Sequence, residues 1–365
     1  MGNSVINAGC PCCSAPLRSG GDGGLVCESC GNHFDADVMH YVDEALESAA
    51  QASDMTWQQE GAEGWLPQEQ EDLHAYVCPS CGAEIVADAT TAATQCVYCG
   101  NASILPGNLS GSFRPDAVIP FEFSKEDAKR KYKQFLAGKK LLPNDFTRGN
   151  KIEDIAGVYV PFWLFDCDTK AKMVYRAERS STRTVGNEDV TTTEHYLVMR
   201  DGTMGFDQIP VDGSAKFADA LMEAIEPFDY GKMQAFATSY MPGYQAERYD
   251  VDAKEAQPRA NERVEESVKS TFSATVKGYD SVKTQSAQIN LDNGKVRNVL
   301  FPVWMLNTRW EGNTYTFAMN GQSGKFVGNL PISKAKAWKW RAGLFFGSFA
   351  AILGIVYALC AAGGI

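Results

Sequence analysis

Histidine is scarce in this chain, and no histidine motif of the kind that builds a catalytic triad or a mononuclear metal site is present. The four histidines are His33, His40, His74 and His195, each without a second ligand or base at motif spacing. No G-x-x-x-x-G-K-[ST] loop occurs, so ATP hydrolysis of the P-loop type has no support. The opening Met1-Gly-Asn-Ser-Val-Ile-Asn7 lacks the cations and apolar run of a secretory signal, and Asn7 stands where a myristoylation motif wants Ser or Thr. Positive charge is in deficit overall. A net charge of −11 argues against a general affinity for nucleic acid.

What the chain does have is cysteine, eleven in 365 residues. Eight of them fall into C-x-x-C pairs: Cys10 with Cys13, Cys27 with Cys30, Cys78 with Cys81, and Cys96 with Cys99. Two such pairs bring four thiolates into a closed tetrahedron that suits Zn²⁺ and leaves no position for a substrate. The pattern occurs twice, which predicts about two zinc ions per chain. Iron in a rubredoxin-like site is the runner-up, because it uses the same knuckle. A disulfide framework is disfavoured, since paired knuckles without an export signal belong to a reducing compartment. Gly31, Gly82 and Gly100 follow three of the pairs, where positive φ turns backbone amides toward the sulfurs. Ser14 takes that place in the first knuckle. Cys12 lacks the spacing and is read as a spare thiol, and His33 as a bystander to a site already filled by sulfur. The glycine-rich Ser19–Gly24 stretch is read as a hairpin turn rather than a phosphate loop.

Between the ribbons, residues 41–75 read as an acidic linker whose apolar content is too thin for a core, with a short helix over Val38–Ala50. Trp57 and Trp65 are its exceptions, either docking points for a partner or packed against the chain's own ribbons. Beyond the second ribbon, Ser124 is an N-cap with acids behind it, opening a helix that carries Lys125, Lys129, Arg130, Lys131, Lys133, Lys139 and Lys140. That run is read as a solvated face; RNA, DNA or anionic lipid is the alternative.

The central region, 112–331, reads as an α+β domain on mostly antiparallel sheet, built from two related halves. Val158-Tyr-Val-Pro161-Phe-Trp163-Leu-Phe-Asp166 matches Val299-Leu-Phe-Pro302-Val-Trp304-Met-Leu-Asn307 in pattern. Apolar residues on both faces predict buried strands, with each proline at an edge or bulge. Asp201-Gly202, Asn293-Gly294 and Asn320-Gly321 are hairpin signals, and helices are expected over Ser214–Ile225 and Val251–Ser270. Asp166-Cys167-Asp168 resembles a reactive site, but flanking carboxylates raise a thiol pKa where a nucleophile needs it lowered. Asp250 and Asp252 read as helix-start residues. No catalytic constellation emerges, and the chain is read as a non-enzyme.

The stretch 342–362 carries no charge and, as a helix, spans roughly 30 Å, enough for a bilayer core. Lys334, Lys336, Lys339 and Arg341 precede it, with Trp338 and Trp340 among them, in segment 332–341. Cations on one side and aromatics at headgroup level predict a single-pass tail anchor in the cell membrane, with its N-terminal domains cytoplasmic.

Tyr76-Val-Cys-Pro-Ser-Cys-Gly-Ala-Glu-Ile-Val-Ala-Asp88, Val158–Asp168, Phe301-Pro-Val-Trp-Met-Leu-Asn-Thr308 and Thr316-Phe-Ala-Met-Asn-Gly-Gln-Ser-Gly-Lys325 resemble bacterial proteins labelled transcription factor IIB-type zinc-ribbon proteins. Some members carry the name of a primosomal replication-restart helicase, whose motor motifs this chain lacks. The resemblance implies flotillin-like membrane proteins as partners. It departs at Ser14, where the family's knuckle has glycine.

Together these readings give zinc ribbon 1 over 1–40, the linker, zinc ribbon 2 over 76–111, the α+β domain and the transmembrane helix. The expected function is a membrane-tethered protein-interaction adaptor, with a membrane-held nucleic-acid-binding regulator as the alternative. Against nucleic acid stands the near absence of cations in the ribbons: Arg18 alone between Cys10 and Gly31, and none between Cys78 and Gly100.

Overall fold

The computed structural model describes residues 9–20, 24–37, 39, 43–44, 47, 55–59, 64–88, 96–99, 101, 105–106, 114–149, 154–216 and 219–361. The Val38–Ala50 helix for the most part, the tip of the glycine-rich turn and Gly100 lie outside them. The fold is α+β with mostly antiparallel pairing, and it divides into two compact units, each assembled from three stretches of chain.

The first unit comprises Met1–Glu60, Trp163–Val211 and Ala253–Arg297. Its ribbon is a three-stranded antiparallel sheet of Arg18–Ser19, Leu25–Val26 and His33–Phe34. Two long strands, Ala156–Val185 and Glu188–Asp212, pair with each other around a turn at Gly186 and Asn187. The helix Ala253–Ala274 buries Ala253, Ala256, Ala260, Val264 and Val268, a stripe at three- and four-residue intervals. Trp57 is buried here too. Its ring meets Phe165 edge-on at 4.8 Å, and its indole N–H donates to Asn261 Oδ1 at 2.7 Å. It therefore packs on its own chain, though not on a ribbon.

The second unit comprises Gly61–Phe162, Asp212–Asp252 and Asn298–Ile365. Leu73–Val77 pairs antiparallel with Glu84–Asp88, which pairs antiparallel with Gln245–Glu247, which in turn runs parallel to Val158 and Tyr159. Leu73 and Ala75 are core residues, so the segment read as linker ends inside a sheet. Its described residues include the helix Pro67–Asp72, and Trp65 meets Phe236 edge-on at 5.9 Å. The helix Lys125–Ala137 opens on the expected cap, with the Ser124 hydroxyl accepting from the Asp127 amide. Ala128, Tyr132 and Leu136 form its buried face.

The two matched sequence stretches occupy matched positions. Val158 and Tyr159 pair in parallel with Gln245 and Ala246; Val299 and Leu300 pair in parallel with Ala117 and Val118. Each proline carbonyl then accepts from a glycine amide, Pro161 from Gly213 at 2.9 Å and Pro302 from Gly321 at 2.8 Å. The prolines sit where a strand changes neighbours. Pro302 falls between Leu300, paired to Val118, and Val303, paired to Asn320, so its missing N–H costs no ladder bond.

Two of the expected hairpins are not turns. Strands run unbroken through Asp201-Gly202 and Asn293-Gly294. At Gly294 a Cβ would lie 2.8 Å from the Thr56 carbonyl oxygen, so this glycine admits a close backbone approach. The turn of that second ribbon of strand is at Glu311-Gly312, both at positive φ, between Ser281–Trp310 and Asn313–Asn320. Asn320-Gly321 does turn, leading into Phe326–Gly328. The helix expected over Ser214–Ile225 is Asp219–Ile225 among the described residues.

Candidate metal centres

All four knuckles share one backbone arrangement. The first cysteine's amide donates to the carbonyl five residues on: Cys10 to Ala15, Cys27 to Asn32, Cys78 to Ala83 and Cys96 to Asn101, at 2.7 to 2.9 Å. In three of them the carbonyl of that cysteine also accepts from the residue after the pair: Ser14, Gly31 and Gly82. Gly31 and Gly82 have φ of 73° and 71° as the spacing predicts, and Ser14 adopts 62° despite its Cβ.

This geometry gathers Cys10, Cys13, Cys27 and Cys30 into one group, and Cys78, Cys81, Cys96 and Cys99 into another, with the sulfurs of each within 4.8 Å of one another. The closest approaches are Cys13 to Cys27 at 3.4 Å, Cys10 to Cys30 at 3.6 Å, Cys78 to Cys99 at 3.6 Å and Cys81 to Cys96 at 3.7 Å. A zinc–sulfur bond of about 2.3 Å puts tetrahedral sulfurs about 3.8 Å apart, so both groups fit such an ion. Four thiolates on a divalent cation close the site, and the donor set offers structure rather than catalysis.

Cys12 and His33 are not brought into the first group. The Cys12 amide donates to Cys10 Sγ at 3.4 Å, while burial, then the neighbouring Cys10 and Cys30, push its own thiol up to about 11. His33 is exposed on its strand. Inside the groups, the Cys30 amide is the largest influence on Cys27 and holds its thiol down at about 7 against burial. At Cys78 burial pushes upward, but the Cys81 and Ser80 amides outweigh it and bring the thiol to about 7.

The two sites differ in their surroundings. In the first, Cys10 and Cys27 are buried while Cys13 and Cys30 are exposed, and Asn32 donates to Cys30 Sγ at 3.3 Å. In the second, Cys78 and Cys96 join Ala83 and Ile85 in a core cluster flanked by Tyr76 and Tyr98. Strand Ser281–Trp310 clamps this ribbon. Asn307 Nδ2 donates to the carbonyls of Val97 at 2.5 Å and Tyr98 at 2.7 Å, and Thr316 holds Asn307 Oδ1 at 2.6 Å. Asn307 was visible in sequence only as the polar end of an apolar run.

Behind the clamp lie a buried carboxyl, Glu247, and a half-buried one, Asp212, that sequence reading did not single out. Glu247 accepts from Ser214 Oγ at 2.8 Å and faces the Tyr98 hydroxyl. Burial pushes it up to about 8, with Tyr98 and Ser214 opposing. Asp212 is also raised to about 8, chiefly by burial and then by Glu247, Asp219 and Asp250, against the Ser214 amide. Asp212-Gly213 stands where the other half has Asn320-Gly321, and that correspondence is the signal that marks it.

Elsewhere, Cys167 is buried and its thiol is pushed up to about 12 by burial, then by Asp168, Asp166 and Asp207, which is unsuited to a nucleophile. Asp166 pairs with Arg297 at 2.9 Å, and Asp168 accepts from Asn293 at 3.1 Å. Asp250 pairs with Lys216 at 2.6 Å, just ahead of the Ala253–Ala274 helix. Lys334–Ala361 is a continuous helix, and among the described residues it is the one long and apolar enough to cross a membrane. Its Leu344, Phe346, Phe349, Ile352 and Ile355 are all exposed.

No family model matches the chain, and no solved structure matches it. A Bacillus subtilis (strain 168) protein described as uncharacterized protein YdjG is 34% identical over 327 residues, covering 76% of this chain and 96% of that protein. At that identity and coverage, this chain and YdjG belong to one family.

Proposed function

We propose that this chain is a membrane-tethered, cytosol-facing zinc-ribbon protein that acts as a protein-interaction adaptor and not as an enzyme. One observation carries the reading: two closed four-sulfur sites share a chain with an apolar helix whose side chains are uncovered. Closed sites hold surfaces in shape and leave no metal position for a substrate. An uncovered apolar helix is stable only when lipid or a partner surrounds it. Lys334, Lys336, Lys339 and Arg341 lead into it, which supports an orientation with both units on the cytosolic side.

The nucleic-acid reading is weaker on charge. Arg18, the lone cation within the first ribbon, is paired with Glu28 at 3.0 Å, and each zinc–tetrathiolate centre is itself negative. Flotillin-like membrane proteins are candidate partners by the family resemblance.

The test is affinity capture of the full chain from solubilised membranes, beside a Cys10→Ser/Cys13→Ser variant, with alkaline carbonate extraction on both. The adaptor reading expects carbonate-resistant protein and a partner that the variant loses. Carbonate-soluble protein would defeat the membrane tether in either reading, and a salt-sensitive mobility shift of DNA or RNA that the variant abolishes would replace the adaptor with the alternative.

A further inference from the structure

Two basic segments nearly two hundred residues apart in sequence meet at the foot of the apolar helix. No acidic residue occurs from 128 to 144, and none after Glu311. Each stretch thus carries an excess of positive charge.

The contacts that join them are explicit. The Ser333 amide donates to the Leu141 carbonyl at 2.9 Å. Lys336 Nζ reaches the Leu142 carbonyl at 2.6 Å and Asn144 Oδ1 at 2.7 Å. Lys140 Nζ lies over the Trp340 ring, 5.1 Å from its centroid. The loop after helix Lys125–Ala137 is therefore strapped along the first turns of the Lys334–Ala361 helix.

Depth follows from helix geometry. Trp340 precedes the uncharged run by two residues, a rise of about 3 Å. Lys140, stacked on Trp340, is at the same level, where phosphate groups lie if the run spans a bilayer. Lys133, Lys139, Lys140, Lys334, Lys339 and Arg341 are all exposed and have no ion pair among the described residues. Lys336, by contrast, is spent on the strap.

We infer that these two segments form one docking surface for anionic lipid headgroups, in the same leaflet through which the helix enters the membrane. The inference rests on the proposed membrane-spanning role of that helix. Lipid is favoured over nucleic acid because the cations are placed beside Trp338 and Trp340, both exposed, in the arrangement that suits a headgroup layer and not a free groove. The consequence is a preference among lipids that the apolar run alone cannot supply. It also fixes how closely the Lys125–Ala137 helix is held to the surface.

The test uses the full chain reconstituted in vesicles of phosphatidylcholine mixed with phosphatidylglycerol. The readout is the ratio of the two lipids that stay with the protein on polymer extraction, by mass spectrometry. Wild type should be enriched in phosphatidylglycerol. Lys140→Gln should lower that enrichment roughly fivefold, as expected for one surface cation. Lys125→Gln, at the far end of the helix that precedes Lys140, should leave it unchanged. All forms should resist carbonate. Carbonate-soluble wild type would defeat the spanning role and this inference together. Carbonate-resistant protein with no lipid preference, or with equal losses in both variants, would overturn the inference alone. So would vesicle-bound protein that captures short RNA through Lys140 while its lipid preference stays intact.

Discussion

Asn307 and Tyr98 are joined by a 2.7 Å hydrogen bond from the side-chain amide of one to the backbone carbonyl of the other. The same amide reaches Val97, so one side chain from a long strand satisfies two carbonyls inside the Cys96–Cys99 knuckle. The second ribbon is built into its unit. Asn307→Ala should cost about 1–3 kcal/mol, the usual penalty for stranding buried acceptors. Thermal unfolding should fall accordingly, and zinc should leave the second site faster under a chelator. Unchanged release would mean that the sulfurs alone hold the knuckle.

Metal content is the next prediction. Purified protein should carry about two zinc ions per chain by elemental analysis. Cys12→Ser should leave that number unchanged, whereas Cys13→Ser should release the first ion. Loss of the ion in Cys12→Ser would overturn the assignment of the knuckle, and a red protein would point to iron.

Ser14 offers a gain. It holds φ of 62° where the second and third knuckles have glycine. Ser14→Gly removes the Cβ penalty of that conformation and should stabilise the first knuckle by about 1 kcal/mol. Slower chelator-driven zinc loss from the first site alone is the expected reading. A faster loss would mean that the serine contributes something the backbone does not reveal.

Glu247 and Asp212 set a pH dependence. Asp212 and Glu247 are both raised to about 8 in the folded state, above any unfolded carboxyl. Such groups give stability that is fully present below the unfolded pKa and is lost as pH rises through the folded one. Stability should therefore fall from about pH 4 to about pH 8. The other half of the unit shows the remedy: Asn320 donates its amide to the Ile225 carbonyl at 3.0 Å and the Pro227 carbonyl at 3.1 Å. Asp212→Asn should match wild type near pH 4 and gain on it progressively as pH rises to about 8, by up to about 1.4 kcal/mol per pH unit. An equal slope in wild type and variant would show that Asp212 is ionised in the fold.

Spacing made the eight cysteines legible, because a C-x-x-C knuckle is a local object whose backbone closes within six residues. The cap at Ser124 and the matched runs around Pro161 and Pro302 were readable for the same reason. The turns at Gly186 and Gly312 were missed in favour of Asp201-Gly202 and Asn293-Gly294. A glycine that admits a neighbouring backbone, as Gly294 does for Thr56, looks the same in sequence as one that turns the chain. Leu73 and Ala75 were read as linker because five residues of strand show no surplus of apolar content. Their place comes from Val86 and Ala246, which only the fold supplies. Asn307 and Asp212 were opaque too, since their roles depend on partners far along the chain.

The clamp also orders events during synthesis, which runs from the N-terminus. The first knuckle pair and its hairpin are complete early, and its sulfurs have their own three strands to close against. The second pair has its sulfurs early as well, but Asn307 is made some two hundred residues later. Shortly after it comes the apolar helix Lys334–Ala361. Final seating of the second ribbon and completion of the apolar helix thus fall in the same late interval of the chain's birth, whereas the strands of the first ribbon are made long before either.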